Sequence, residues 1–193
     1  MFYKIVFNFI KCLVYLLNGK PKFEYTERFP KGNYILAAPH KTWWDPLFLA
    51  LAGMPKQYEF MAKKEIFKNK FFAWILTKVN VFPVDRENPG PSAVKKPIND
   101  LKKTDLSLIM FPSGTRYSDD LKGGIVLIAK MAKVPIVPAV YQGPTKFSDL
   151  LKRQKVTIKI GHPIHIDNIT KVSPENIQMV EQKINQQFND LMN

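Results

Sequence analysis

Short runs of apolar residues alternate with longer segments of helical periodicity between residues 33 and 160. The apolar runs predict strands at residues 34–38, 59–62, 79–84, 106–111, 134–140 and 156–160. The segments between them predict helices at residues 46–52, 65–77, 92–103 and 124–132. This alternation is typical of an α/β fold, with a mixed, largely parallel sheet flanked by helices. Ligands of such sheets bind at the loops beyond the strand ends.

The end of the chain has the pattern of a packing helix. Ser173 is a favourable cap, and Pro174 suits the first helical position. Apolar residues then recur at spacings of three and four, at Ile177, Val180, Ile184, Phe188 and Leu191.

The first 17 residues are apolar apart from a few polar positions that share one side of a helix. On a helix that turns about 100° per residue, these positions fall within about 80°. They are Lys4, Asn8 and Lys11, together with Asn18, the next strongly polar residue after this segment. The two lysines interrupt the segment before it reaches the roughly 20 apolar residues of a bilayer span.

We therefore expect residues 1–20 to be an amphipathic membrane-anchoring segment that lies in the bilayer interface. Lys4 and Lys11 would contact lipid phosphates. The apolar residues expected to contact the acyl chains are Phe2, Ile5, Phe9, Leu13 and Leu16. A helix buried on the domain, a secretory signal and a true span are the alternatives.

Composition narrows the class of protein. The chain has 193 residues, of which 46% are hydrophobic, enough for one folded domain and too many for global disorder. The net charge of +13 indicates an anionic partner, such as nucleic acid, an acidic membrane or a phosphorylated small molecule. Cys12 is the single cysteine, so an intrachain disulfide and a thiolate metal cluster are excluded, and a reducing compartment is favoured.

Several common kinds of site are absent from the sequence. No G-x-G pair occurs, so nucleotide cofactors lack their usual binding loop. Phe111 stands where the first glycine of a G-x-S-x-G nucleophile motif belongs, which makes Ser113 a poor nucleophile. His162 and His165 have no third ligand at a recognisable spacing, so we expect no metal site.

The strongest candidate for chemistry is His40, at the end of a predicted strand, followed by Asp45 where a helix begins. A tight turn would let the carboxylate accept from Nδ1–H and leave Nε2 able to take a proton. The alternatives are a structural histidine and an aspartate that only caps the helix ahead of Pro46.

Four ordered blocks resemble those of glycerolipid acyltransferases, and more narrowly the bacterial 1-acylglycerol-3-phosphate acyltransferases. They are H-x-x-x-x-D at residues 40–45, VFPVDR at residues 81–86, FPSGTR at residues 111–116 and VPIVP at residues 134–138. The resemblance covers residues 33–145 approximately and implies a glycerolipid acyltransferase-like fold for residues 21–193. This chain has Ser113 where the family's third block usually has glutamate.

The resemblance also implies roles for individual residues. His40 is the general base and Asp45 is its partner. The residues implied to bind the substrate phosphate are Arg86, Gly114, Thr115 and Arg116. Outside these blocks, Lys63 follows a predicted strand and could add a point charge to the phosphate site or lie at a solvated strand exit.

The expected activity is transfer of a fatty acyl group to the 2-hydroxyl of 1-acylglycerol 3-phosphate, which gives phosphatidic acid. No cofactor is expected, since an acyl thioester or acyl phosphate serves as co-substrate, with acyl carrier protein or acyl-coenzyme A as the thioester donor. The expected partner is an anionic phospholipid membrane surface and not nucleic acid. The protein is expected to be peripheral or monotopic on the cytoplasmic face of the cell membrane. The alternatives are a related acyltransferase that uses glycerol 3-phosphate or another lysophospholipid, and a non-catalytic basic protein that binds membranes or nucleic acid.

Overall fold

A seven-stranded sheet forms the centre of the computed structural model, which describes residues 2–86, 88, 90–113, 123–169 and 171–193. The strands within these residues are β1 (Lys22–Glu24), β2 (Ile35–Ala37), β3 (Gln57–Lys63), β4 (Val81–Val84), β5 (Leu106–Met110), β6 (Ile136–Gln142) and β7 (Thr157–Ile160). The α-helices are α1 (Phe2–Leu17), α2 (Asp45–Ala52), α3 (Lys70–Lys78), α4 (Ser92–Lys103), α5 (Gly124–Ala132), α6 (Phe147–Leu151) and α7 (Pro174–Met192).

The strand order is β1-β7-β6-β2-β5-β3-β4. Strands β6, β2, β5, β3 and β4 pair in parallel, whereas β7 is antiparallel to β6, and β1 is parallel to β7. The predicted mixed, largely parallel sheet is confirmed. The carboxyl ends of the five parallel strands therefore lie along one edge of the sheet, where an α/β fold places its ligands.

Helices cover both faces of the sheet. On one face α1 and α2 contribute side chains such as Phe7 and Phe48 to a core with Tyr58 of β3. On the other face α4, α5 and α7 pack residues such as Ile125 and Ile184 against the sheet. Every residue of β2 is buried, as expected for a central parallel strand covered on both sides.

Two parts of the predicted element pattern were wrong. The single helix predicted over residues 65–77 is a 3₁₀ segment, Lys64–Lys68, followed by α3. The Asn69 side chain separates the two because it accepts the backbone N–H groups of Phe71 and Phe72 at 3.0 and 3.2 Å. Strand β1 and helix α6 were not predicted, because three and five residues are too few to show a period.

Helix α1 packs along the domain through one side only. Tyr3 and Phe7 are buried, and their rings stack with centroids 4.3 Å apart. At the end of the helix, the buried Asn18 amide donates to the carbonyls of Leu150 and Gln154, both at 2.9 Å, which ties α1 to α6. Among the residues described, no helix has both the length and the apolar character needed to cross a membrane.

Candidate active site

The predicted pair lies in the loop that joins β2 to α2. Because β2 is flanked by β5 and β6, this loop leaves the middle of the sheet at its carboxyl edge. The loop brings His40 and Asp45 together, with Nδ1 of the imidazole 3.3 Å from Oδ2 of the carboxylate. The Asp45 side chain is fully buried, and 12% of the His40 side chain is exposed.

Three further donors hold the Asp45 carboxylate in place. Oδ2 accepts the backbone N–H of Lys41 at 2.6 Å and that of Thr42 at 2.8 Å. Oδ1 accepts the Thr42 hydroxyl. These bonds replace the hydrogen bonds to water that the carboxylate loses on burial.

The alternative in which Asp45 only caps α2 is wrong. Asp45 is the first residue of the helix, and Trp44 occupies the cap position without a side-chain hydrogen bond. The carboxylate turns back into the loop and binds Thr42 instead of the N–H groups of the first helical turn. Its position therefore suits the orientation of His40, since a carboxylate at Nδ1 makes that nitrogen the donor and leaves Nε2 as an acceptor.

Phe111 supports the imidazole from the neighbouring strand. The rings of His40 and Phe111 stack with centroids 4.1 Å apart and planes at 25°. Phe111 was not among the residues predicted for the site. The available signal was its position as the last residue of a predicted strand, which in a parallel sheet brings it to the same edge as His40.

Trp44 ties the loop that carries His40 to β6. Its indole N–H donates to the Tyr141 hydroxyl at 3.0 Å, and that hydroxyl donates to the carbonyl of Pro144 at 3.0 Å. Burial raises the pKa of Tyr141 to about 12, so the phenol stays neutral and keeps both hydrogen bonds at working pH. The loop that carries His40 is thus fixed to β6 as well as to α2.

A largely apolar cavity of about 330 Å³ has Phe111, the residue that stacks on His40, in its lining. Pro112 follows Phe111 in this lining, and Arg86, at the exit of β4, is an exposed part of it. The side chains that line it, within the described residues, include Met61, Val84, Val94, Ile109 and Ile128.

The other predicted phosphate ligands differ in what the structure says of them. Lys63 is about half exposed, and its ammonium lies 3.8 Å from the Glu65 carboxylate, away from the described lining of this cavity. Gly114, Thr115 and Arg116 lie outside the described residues. Ser113, which precedes them, is buried.

A larger cavity, of about 880 Å³, lies at the opposite edge of the sheet. Tyr34 and Gln57, next to the amino ends of β2 and β3, help to line it, together with Lys4 and Lys11 of α1. Neither His40 nor Asp45 is in the described lining of either cavity, but the smaller one includes Phe111, whose ring stacks on His40, so it is the cavity connected to this pair.

Comparisons with known proteins agree with the geometry. Residues 20–142 match the family model described as Acyltransferase. The chain is 49% identical over 193 residues to the 1-acyl-sn-glycerol-3-phosphate acyltransferase of Streptococcus pneumoniae, covering 99% of this chain and 73% of that protein. It is 40% identical over 194 residues to the protein of the same name from Bacillus subtilis, covering 99% and 97%.

The fold matches the crystal structure of the 1-acyl-sn-glycerophosphate acyltransferase PlsC from Thermotoga maritima. The TM-score is 0.70 at 24% identity, over 98% of this chain and 79% of that one, a likeness that shows the fold. Fold, site and family model together define the class, an α/β acyltransferase. The chain belongs to the family of 1-acyl-sn-glycerol-3-phosphate acyltransferases, as the four sequence blocks predicted.

Proposed function

We propose that this enzyme transfers a fatty acyl group to the 2-hydroxyl of 1-acylglycerol 3-phosphate and so makes phosphatidic acid. The observation that carries the proposal is the 3.3 Å approach of His40 Nδ1 to a fully buried Asp45, in a chain with two highly similar relatives named for this activity. In this arrangement the nucleophile comes from the substrate, and the protein supplies the base.

His40 removes the proton from the 2-hydroxyl as its oxygen attacks the acyl carbonyl carbon. The tetrahedral intermediate then collapses, the bond from carbon to the donor sulfur or phosphate oxygen breaks, and the imidazolium returns its proton to the leaving group. Asp45 stabilises the imidazolium between the two steps and keeps Nε2 directed at the hydroxyl. Phe111 limits the tilt of the His40 imidazole, because the two rings are stacked face to face.

The apolar cavity lined by Phe111 is a suitable site for an acyl chain. Its lining side chains are predominantly hydrocarbon and include Phe111, on whose ring His40 is stacked. The exposed Arg86 of its lining is a suitable contact for the acceptor phosphate. Gly114, Thr115 and Arg116 complete that phosphate site in the proposal, with the Arg116 guanidinium as the bidentate ligand.

The donor in this proposal is an acyl thioester, on acyl carrier protein or coenzyme A, or an acyl phosphate, and the reaction needs no cofactor. All three donors are anions, and the net charge of +13 favours their approach. We also propose that the enzyme works as a peripheral or monotopic protein at the cytoplasmic face of an anionic membrane, where the acceptor lipid resides.

Helix α1 supports the membrane part of the proposal. The apolar residues expected at the acyl chains are all exposed, and the exposed fractions of Phe9 and Leu16 reach 67% and 69%. The full set of these exposed residues is Phe2, Ile5, Phe9, Leu13 and Leu16. Phe2 meets Trp74 of α3 edge to face at 5.8 Å, which extends the apolar surface to the exposed rings of Phe71 and Phe72.

The test is a reconstituted assay. Purified protein is added to vesicles that contain 1-acylglycerol 3-phosphate, with acyl carrier protein, coenzyme A and phosphate as alternative acyl carriers, and phosphatidic acid is measured by mass spectrometry. We expect product with at least one donor, and a loss of about 10²–10⁴ in rate for His40→Ala. Turnover only with glycerol 3-phosphate or with a lysophospholipid of larger headgroup would assign a different acceptor.

A further inference from the structure

Trp43, between the two members of the catalytic pair, points into solvent. Its exposed fraction is 60%, while that of the adjacent Trp44 is 3%. The Trp43 ring lies 6.0 Å from the ring of Phe147 in α6, which is itself 47% exposed, and Leu151 one turn further on is 45% exposed. These three side chains form an apolar patch, the Trp43 patch, which adjoins the loop that carries His40 and Asp45.

The loop cannot turn Trp43 inward. Thr42 on one side is buried and bonded to Asp45, and Trp44 on the other is bonded to Tyr141. Burial of the Trp43 side chain would stabilise the folded state, and its exposure to solvent gives up that stabilisation. Contiguous exposed apolar residues of this kind mark a surface that another phase or molecule covers.

The surroundings of the patch identify a bilayer as its occupant. Three exposed lysines surround the patch: Lys146 precedes Phe147, Lys152 follows Leu151, and Lys41 lies two positions before Trp43. The Lys152 ammonium also lies 3.3 Å from the Asp149 carboxylate. Aromatic rings with lysines around them are typical of the membrane interface, where rings enter the acyl boundary and ammonium groups meet lipid phosphates.

The patch is also connected to α1. The guanidinium of Arg153 donates to the carbonyl of Leu16 at 2.9 Å, and the Asn18 amide donates to Leu150. The end of α1 is thereby joined to α6, which carries Phe147 and Leu151. The exposed Leu16, the exposed residues of α6 and Trp43, three positions along the chain from His40, therefore lie on elements that are joined to one another.

We propose that the Trp43 patch is a second membrane contact, which places the loop that carries His40 and Asp45 against an anionic bilayer. The consequence for catalysis, which rests on the proposed function, is that a lysophospholipid reaches His40 from the bilayer surface. Helix α1 alone would attach the protein to the membrane, and the Trp43 patch would set which way the catalytic loop faces.

Tryptophan fluorescence tests the contact without any turnover. In a Trp74→Phe background the remaining tryptophans are Trp43 and Trp44, and adding Trp43→Phe leaves only the buried Trp44 as a matched control. Vesicles of phosphatidylglycerol and brominated phosphatidylcholine should quench the first protein and shift its emission to the blue, with little effect on the second. Equal quenching of both, or no quenching of protein that sediments with the vesicles, would overturn the proposal.

Activity supplies the second measurement. Phe147→Ser with Leu151→Ser should lower the initial rate about tenfold when the acceptor is embedded in vesicles, since two apolar contacts are lost. The rate with a short-chain acceptor dispersed as monomers should change less than about twofold. The matched control is Met131→Ser, because Met131 is 50% exposed on α5, on the other face of the sheet.

An equal loss with both acceptors would show that α6 supports the fold or the donor site, and an unchanged vesicle rate would show that the patch faces water. Either result overturns the proposal. If the assay detects no acyl transfer by the wild-type protein, the proposed function fails, and the quenching result still decides whether the patch contacts the bilayer.

Discussion

The imidazole of His40 and the phenyl ring of Phe111 are stacked with their centroids 4.1 Å apart, although the two residues follow different strands. The register of the sheet explains the contact, because Ala37 of β2 pairs with Met110 of β5, and the next residues of both strands emerge together. The ring of Phe111 is thus both the support of the base and part of the lining of the apolar cavity.

Removing this support should reduce turnover without removing the base. We expect Phe111→Ala to lower kcat about tenfold or more, because a small misplacement of a catalytic group is costly in rate. Phe111→Leu, which retains most of the volume, should keep the greater part of the activity. Steady-state kinetics with circular dichroism as a folding check gives the result, and a normal kcat for Phe111→Ala would show that Asp45 alone orients the ring.

Asp45→Asn should impair the enzyme even though the side chain keeps its shape. The Asp45 carboxylate accepts from four groups, and an amide nitrogen in place of one oxygen would face donors. We expect a loss of activity of about 10²–10⁴ and of about 1–3 kcal/mol in the free energy of unfolding.

Thr42→Val is the matched control for this variant. It removes one bond to Asp45 and leaves the carboxylate beside His40, so it should cost about 0.5–1.5 kcal/mol and retain most activity. Kinetics and urea denaturation measure both effects. An Asp45→Asn enzyme as active as Thr42→Val would contradict the role of the carboxylate charge.

The outer face of α1 can be tested without deleting the helix, whose inner face contributes Tyr3 and Phe7 to the core. Phe9→Ser with Leu13→Ser should weaken binding to anionic vesicles by at least about tenfold, since both side chains would lose their contact with acyl chains. Met131→Ser with Met179→Ser changes two exposed residues on the other layer and should bind as the wild type does. Cosedimentation at moderate salt decides, and equal binding by the two variants would exclude α1 as the anchor.

Glu59 should make stability depend on pH. This carboxyl group of β3 is buried between Lys96 and Asp100 of α4, and burial raises its pKa to about 7. Between its ordinary pKa and that value the folded chain holds a proton that the unfolded chain has released. The free energy of unfolding should therefore fall by about 1–3 kcal/mol as pH rises from about 5 to about 8.

Glu59→Gln removes the titrating group and keeps the shape, so its stability should vary less over the same pH range. Denaturation midpoints at several pH values provide the comparison. Parallel profiles for the wild type and the variant would show that the Lys96 ammonium keeps Glu59 ionised throughout.

Much of this protein is determined by local sequence pattern. The apolar runs predicted every strand of the central parallel sheet, because a strand that is buried on both faces of the sheet requires continuous hydrophobic residues. His40 and Asp45 could be paired from sequence since five positions across one turn keep two side chains within reach of each other. The family followed from four ordered blocks, confirmed by the match over residues 20–142.

Only the tertiary structure decided which distant side chains complete the site. Phe111 reaches His40 through strand register, Tyr141 reaches Trp44 through the packing of α2 against β6, and Phe147 reaches Trp43 through a helix too short to have a period. The choice between Asp45 as a cap and Asp45 as a partner of His40 also depended on where its carboxylate turned. Contacts between residues far apart in the chain depend on how whole elements pack, and a local hydrophobic pattern records which faces are buried but not which neighbours they meet.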